Sequence, residues 1–253
     1  DTIANNLANA DTGGFKRALL QVQSDPSIGI YRVQTDPGQS PGTTVPGVST
    51  ASFLGYLGTG SNVLDTPTIY DQGALRSTGN PLDVAINGPG FFSIQTAQGV
   101  RYTRNGEFLR NAQGNLVTQA GDPVLQQGGG TINIPDGAVS ISSTGQISVQ
   151  PPRPAGAAQP APIPLAQLAL VEFQNLTALR PQGASLFANN GPQPQTATKS
   201  TVAQNALETS NADVVRQMVD LIVAQRWFEA NEKMIKSQDT MNQESIQQVG
   251  HNQ

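Results

Sequence analysis

Cysteine is absent from the chain and histidine occurs once. Without thiols there can be no structural disulfide, no thiolate metal site and no cysteine nucleophile. The single imidazole, His251, lies at the C-terminal end, so neither a Ser-His-Asp triad nor a histidine metal cluster can be assembled; no cofactor or metal is expected. Charge is scarce as well, at 13% of residues with a formal net charge of −4. Phosphate recognition needs clustered Lys and Arg, so nucleic acid is not an expected partner. No apolar run approaches the roughly 20 residues that cross a bilayer, and the protein is not expected to be membrane-embedded. Glycine (26) and proline (18) are abundant instead, which points to many turns and short strands.

One stretch breaks that pattern. From Asn211 to about Val249 no Pro or Gly interrupts the chain, and Thr209, Ser210 and Asn211 offer side chains able to cap free backbone N–H groups, with Asp213 in the first turn. Steps of seven from Val214 reach Leu221, Phe228, Ile235, Asn242 and Val249, a repeat that a left-handed supercoil keeps facing one partner. The intervening positions are Met218, Gln225, Glu232, Asp239 and Ile246, so half of the seam is polar. An ordinary amphipathic helix on a globular core is the alternative. A helix of about 57 Å, at 1.5 Å per residue, is long for that role, and the reading adopted is half of a coiled coil whose partner helix lies elsewhere.

At the other end, Ile3, Leu7 and Ala10 share a helical face, and Asn5, Asn6 and Asn9 suit helix ends and turns. Thr12-Gly13-Gly14 is expected to end this helix through a left-handed glycine. The pattern opens mid-helix, so a preceding segment is expected. Residues 24–67 are Gly/Pro-rich, with Pro26, Pro37, Pro41 and Pro46 among glycines; such a stretch buries little and is expected to order only against neighbouring subunits. Tyr31, Phe53, Tyr56 and Leu57 are its candidate anchors.

Between Thr68 and Val149 the sequence alternates. Leu82, Val84 and Ile86, then Phe92 and Ile94, keep period two around a break at Asn87-Gly88-Pro89-Gly90. Asn105-Gly106 favours positive φ and predicts a tight hairpin; Phe108 to Val117 predicts another, and Ile132 to Val149 continues the strands. A phosphate loop at Gly88 and Gly90 fails for want of a following helix and a Gly-Lys-Ser/Thr run. Asp83, Glu107 and Asp122 show no acid–base pairing and are expected to be solvated or to cap turns. A Pro/Ala-rich loop at 151–164 precedes a strand at Leu165–Phe173, and residues 181–200 are expected to be irregular. The expected fold class is thus mainly β with long terminal α-helices. An antiparallel β-rich domain (68–201) would lie on a coiled-coil core formed by 1–23 and 202–253.

The order of certain residues is more specific than their type. Asn5-Asn6-Leu7-Ala8-Asn9 with Thr12-Gly13-Gly14-Phe15-Lys16-Arg17 resembles the N-terminal signature of the bacterial flagellar axial proteins, which build the rod and hook. Gly13 occupies a position that is variable in that pattern. Gly79 to Ile86, Gly88-Pro89-Gly90-Phe91-Phe92, Tyr102-Thr103-Arg104-Asn105-Gly106 and Gly121-Asp122-Pro123-Val124-Leu125 follow the family order too. So do Glu208-Thr209-Ser210-Asn211, Gln225-Arg226 and Phe228 to Asn231. Within the family the chain looks most like the proximal-rod class, with the distal-rod class second on the strength of Leu57-Gly58-Thr59-Gly60.

This resemblance implies a structural rod subunit and no enzyme. It would leave the cell through the flagellar export apparatus and polymerise helically in the periplasmic space with itself and other axial proteins, carrying torque from motor to hook. The implied assembly interface comprises Asn5, Asn6, Leu7, Asn9, Phe15, Val214, Met218, Leu221, Phe228, Ile235 and Ile246. Two other classes compete: a secreted β-rich binding module, for which a long C-terminal helix has no use, and a hydrolase, which would need carboxylates facing across a cleft.

Overall fold

A computed structural model describes residues 1–33, 51–57, 60–152 and 160–250; the side chains of 245–250, and of several residues between 22 and 65, are outside that description. Pro37, Pro41, Pro46, Gly58, Thr59, His251 and the middle of the Pro/Ala loop are outside it too. Two compact units are present, one built from Asp1–Ala18 with Thr68–Gln253 and the other from Leu19–Pro67.

The smaller unit is a nest of two antiparallel pairs. Strand β1 (Gln21–Ser24) pairs with β4 (Ser61–Asp65), and inside it β2 (Ile28–Val33) pairs with β3 (Ala51–Leu57). The Gly/Pro-rich stretch thus carries strands paired within the chain. Ile28, Ile30, Tyr31 and Val33 on one side and Phe53, Tyr56 and Leu57 on the other are residues that fit a pleated surface, and each strand finds a backbone partner. Of the candidate anchors, Tyr56 and Leu57 are exposed, and the side chains of Tyr31 and Phe53 lie outside the description.

The larger unit opens with α1 (Thr2–Ala8). After the smaller unit come β5 (Leu75–Ser77), β6 (Val84–Asn87), β7 (Phe91–Thr96), β8 (Gly99–Thr103), β9 (Phe108–Arg110) and β10 (Leu116–Thr118). They are followed by β11 (Ala138–Ile141), β12 (Gln146–Gln150), β13 (Ile163–Gln167), β14 (Leu170–Glu172), β15 (Leu179–Pro181) and β16 (Leu186–Asn189). The last elements are β17 (Gln195–Thr196), β18 (Thr201–Gln204), β19 (Ala206–Glu208) and α2 (Val214–Gly250). All strand pairs are antiparallel. One sheet has the order β15-β16-β8-β7-β14-β17, another β11-β12-β13, and β6, β9 and β5 pair with β18, β10 and β19.

Consecutive side chains of a strand point to opposite faces, and Phe91 and Phe92 show what this does to β7. Phe92 enters the main core with Val84, Ile86, Ile94, Phe108, Leu116, Ile132 and Ile147. Phe91 turns the other way, into a second cluster with Tyr102, Leu179 and Phe187, roofed by Tyr70 and Phe173. Both aromatics are fully buried, so this sheet is covered on its two faces.

The antiparallel β-rich fold is as expected, but several local expectations fail. Asn105-Gly106 closes no hairpin, because β8 pairs with β7 and β16 while β9 pairs with β10. Glycine is needed there for a close approach, since a Cβ on Gly106 would lie 1.6 Å from the Val84 carbonyl oxygen. Asp83 follows the second of its two expected roles, closing the Asn80–Asp83 turn as it accepts a hydrogen bond from Asn80 Nδ2 at 2.8 Å while buried. The stretch Leu165–Phe173 is two strands, and 181–200 contains β16 and β17. The N-terminal helix stops at Ala8 with Asn9 at its C-cap, well before Gly13-Gly14. Among the described residues there are two α-helices, and α1 meets α2 where Asn6 Nδ2 donates to Gln217 Oε1 at 3.3 Å.

Candidate functional site: the joint between the termini and the β unit

The segment Gly13–Ala18, just after α1, is the strap that ties the two ends of the chain together. Gly14 has φ +65°, and a Cβ there would lie 2.3 Å from the Asn105 amide nitrogen. Only glycine permits that approach. It lets the Gly14 N–H donate to the Glu208 carbonyl oxygen at 2.8 Å. Two residues on, Lys16 Nζ reaches the Glu208 carboxylate at 2.5 Å and the Asp71 carbonyl at 2.7 Å.

Glu208 ends β19 and is fully buried. Its Oε1 also accepts the Gly73 N–H at 2.9 Å, and its Oε2 accepts Arg104 Nη1 at 3.4 Å. The Arg104 guanidinium lies 4.8 Å above the Phe91 ring, where the negative face of the aromatic favours a cation. Burial pushes the Lys16 ammonium below its ordinary value of 10.5, opposed by the neighbouring Glu208 charge. Burial likewise lowers the Arg104 guanidinium below its ordinary value, again opposed by Glu208. Arg104 Nε has no hydrogen-bond partner among the described residues.

A set of amide contacts surrounds these charges. Asn6 is buried, donates to the Ala18 carbonyl at 2.8 Å and accepts the Ala18 N–H at 2.9 Å. Asn211 accepts the Arg17 N–H at 2.8 Å and donates to the carbonyls of Ile69 and Asp71. It therefore does not cap α2. That role falls to Asp213, whose carboxylate accepts the Arg216 N–H at 3.1 Å.

Beyond this joint α2 runs for 37 residues, roughly 55 Å at 1.5 Å per residue. At about 100° per residue, Val214, Met218, Leu221, Phe228 and Ile235 fall along one side. Val219, Val223, Trp227, Met234 and Met241 fall along the opposite side, a second stripe that the seven-residue count does not reveal. Val214 and Leu221 are half-buried, whereas Met218, Trp227, Phe228, Met234 and Ile235 are exposed, Phe228 at 71% and Trp227 at 69%. Ile246 lies in α2, with its side chain outside the description. Nearer the joint, Asn5 is exposed, Leu7, Asn9 and Phe15 are half-buried, and Phe15 lines a cleft of about 280 Å³ with Asn5, Asn9 and Pro181.

Of the residues expected to form one interface, the structure thus brings Asn6 and Phe15 to the joint and strings the apolar ones along α2. Sequence reasoning missed Lys16, Arg104 and Glu208. The available signal was that each is a charged residue inside a quoted motif of a chain poor in charge.

A β unit that clamps both chain ends and projects a long helix, apolar on two sides, defines a structural subunit built to assemble. The comparisons identify which kind. The family model described as "Flagella basal body rod protein" matches residues 1–16. "Flagellar hook protein FlgE/F/G D1 domain" matches 85–149, and "Flagellar basal body rod FlgEFG protein C-terminal" matches 203–248. The flagellar basal-body rod protein FlgF of Caulobacter vibrioides is 34% identical over 99% of this chain and 91% of its own length. FlgG of Agrobacterium fabrum is 38% identical over 95% and 90%, and FlgG of Bacillus subtilis 35% over 97% and 91%.

The chain belongs to the flagellar basal-body rod protein family, the family expected from the sequence with its proximal-rod class foremost. It is a structural subunit of the bacterial flagellar basal body, assembling with other axial proteins, and not an enzyme. No helix among the described residues is long and apolar enough to cross a membrane.

Proposed function

We propose that the subunit polymerises helically into a tube whose wall is made of terminal helices, with the β unit on the outside, and that the tube transmits torque from motor to hook. The observation carrying this reading is the pair of exposed apolar stripes on α2. Monomeric proteins rarely expose contiguous apolar surface of such extent without a partner for it, and stripes on opposite sides call for a helix on each side. Copies related head to tail satisfy both at once and grow without closing.

The interface takes in Asn5, Leu7, Asn9, Phe15, Val214, Met218, Leu221, Phe228, Ile235 and Ile246, and Asn6 acts on it by holding α1 against Gln217. The division into an axial core (1–23 and 202–253), a Gly/Pro-rich stretch (24–67) that packs against neighbouring subunits, and a β domain (68–201) belongs to the same proposal. So do passage through the flagellar export apparatus, assembly in the periplasmic space and a place in the proximal rod. A distal-rod position is the second reading, favoured by the Leu57-Gly58-Thr59-Gly60 run.

Trp227→Asp and Phe228→Asp test the mechanism. Each should leave a folded monomer and stop polymer formation by electron microscopy and motility in cells. Normal polymers from both variants would contradict the tube.

A further inference from the structure

Resting on the rod-subunit reading, we propose that Glu208 is a positioning residue: its carboxylate is the lock that sets the direction in which α2 leaves the β unit. Four residues from three pieces of chain converge on this one side chain and its carbonyl. Lys16 arrives from the strap after α1, Gly73 from the lead into β5, Arg104 from the end of β8, and Gly14 closes on the backbone oxygen. The contact with Gly73 leaves no slack, since a Cβ there would stand 2.0 Å from the Thr209 carbonyl oxygen.

From the lock to the helix the chain is tied at nearly every residue. Thr209 donates through its N–H and hydroxyl to the Ala74 carbonyl, Ser210 Oγ accepts the Ala212 N–H, and the Asn211 side chain makes three bonds to the strap and to residues 69–71. Asp213 then caps the first turn. No free hinge separates the carboxylate from the helix axis.

Stability alone does not account for the cluster. Two cations and one carboxylate are buried together, and well-packed apolar side chains of equal volume are often as stabilising or more so. What apolar contacts lack is direction. Lys16 and the Gly73 amide must both point at Oε1 while Arg104 addresses Oε2, and that fixes the orientation of the strand end from which α2 departs. In an assembly loaded by rotation, a fixed departure angle carries load from the helical layer to the β unit where a loose one would absorb it.

The absence of cysteine makes the test clean. Gln98→Cys in the β7–β8 turn and Val215→Cys in the first turn of α2, both exposed, carry spin labels for a distance measurement on the full monomeric chain. The parent should give one narrow distance peak. Glu208→Gln and Lys16→Met should lose that narrow peak while near-ultraviolet dichroism of the buried aromatics is retained, and Lys16→Arg should restore it. Should the buried site reject glutamine and unfold, Lys16→Met, which leaves Glu208 paired with Arg104, decides alone. A peak as narrow as the parent's in Lys16→Met overturns the lock. Loss of polymerisation in the parent chain, with these distances behaving as stated, would count against the rod mechanism and leave the lock standing.

Discussion

Residues at the joint differ in what their replacement removes. Glu208→Ala leaves Lys16 and Arg104 buried without their carboxylate, and deleting one member of a buried ion pair costs about 3–5 kcal/mol; urea denaturation of the monomer measures it. Gly14→Ala forces a β-carbon into a left-handed backbone position against Asn105, a strain of about 1–3 kcal/mol, visible as a lowered Tm. Two phenols give the pH dependence. Burial raises both Tyr70 and Tyr102 above the ordinary value of 10.0, and Tyr70 donates its hydroxyl to the Leu179 carbonyl at 3.2 Å. Because their folded values exceed the unfolded one, the stability they contribute is complete below pH 10.0 and is lost as pH rises through the folded values. Denaturation between pH 9 and 12 should show this fall, and Tyr102→Phe should flatten it; an unchanged slope would assign the alkaline loss elsewhere.

Among the elements, α2 and the strands were legible to different degrees. Strands β6 and β7 followed from period two in Val84–Ile86 and Phe92–Ile94, because a buried sheet face repeats every second residue. Hairpin β9–β10 followed from Phe108 to Val117. The role of Asn105-Gly106 did not, since a glycine chosen for its lack of a β-carbon looks the same in sequence as one chosen for positive φ. Helix α2 was evident from its uninterrupted length. Its second stripe was not, because a seven-residue count selects one side and passes over Val223, Trp227 and Met234. The charged lock was unreadable for a related cause: Lys16, Arg104 and Glu208 are far apart in the chain and meet only through tertiary folding. At this scale Asp213→Ala should lower stability by about 0.5–2 kcal/mol through loss of the cap. Trp227→Ala should shift monomer stability by no more than about 0.5 kcal/mol, as for an exposed residue, yet weaken polymerisation; calorimetry and sedimentation separate the two effects.

The whole molecule divides its labour between a β unit that folds around its own cores and a helix whose large apolar side chains from Val223 to Met241 are exposed. In the proposed tube both sides of α2 are covered by neighbouring helices, and isolated helices are marginal without tertiary packing, so helicity and polymerisation should rise together. The joint determines where the helix can be removed cleanly: a cut before Glu208 would destroy the lock, whereas one after Leu221 preserves Glu208, Asn211, Asp213 and Gln217. The most direct measurement is therefore sedimentation with circular dichroism on the full chain and on a chain ending at Leu221, under assembly conditions. The truncated chain should remain a folded β monomer while the full chain polymerises and gains helix. A truncated chain that unfolds would make α2 part of a globular core, and one that polymerises as readily as the full chain would remove α2 from the assembly interface; either result contradicts the account.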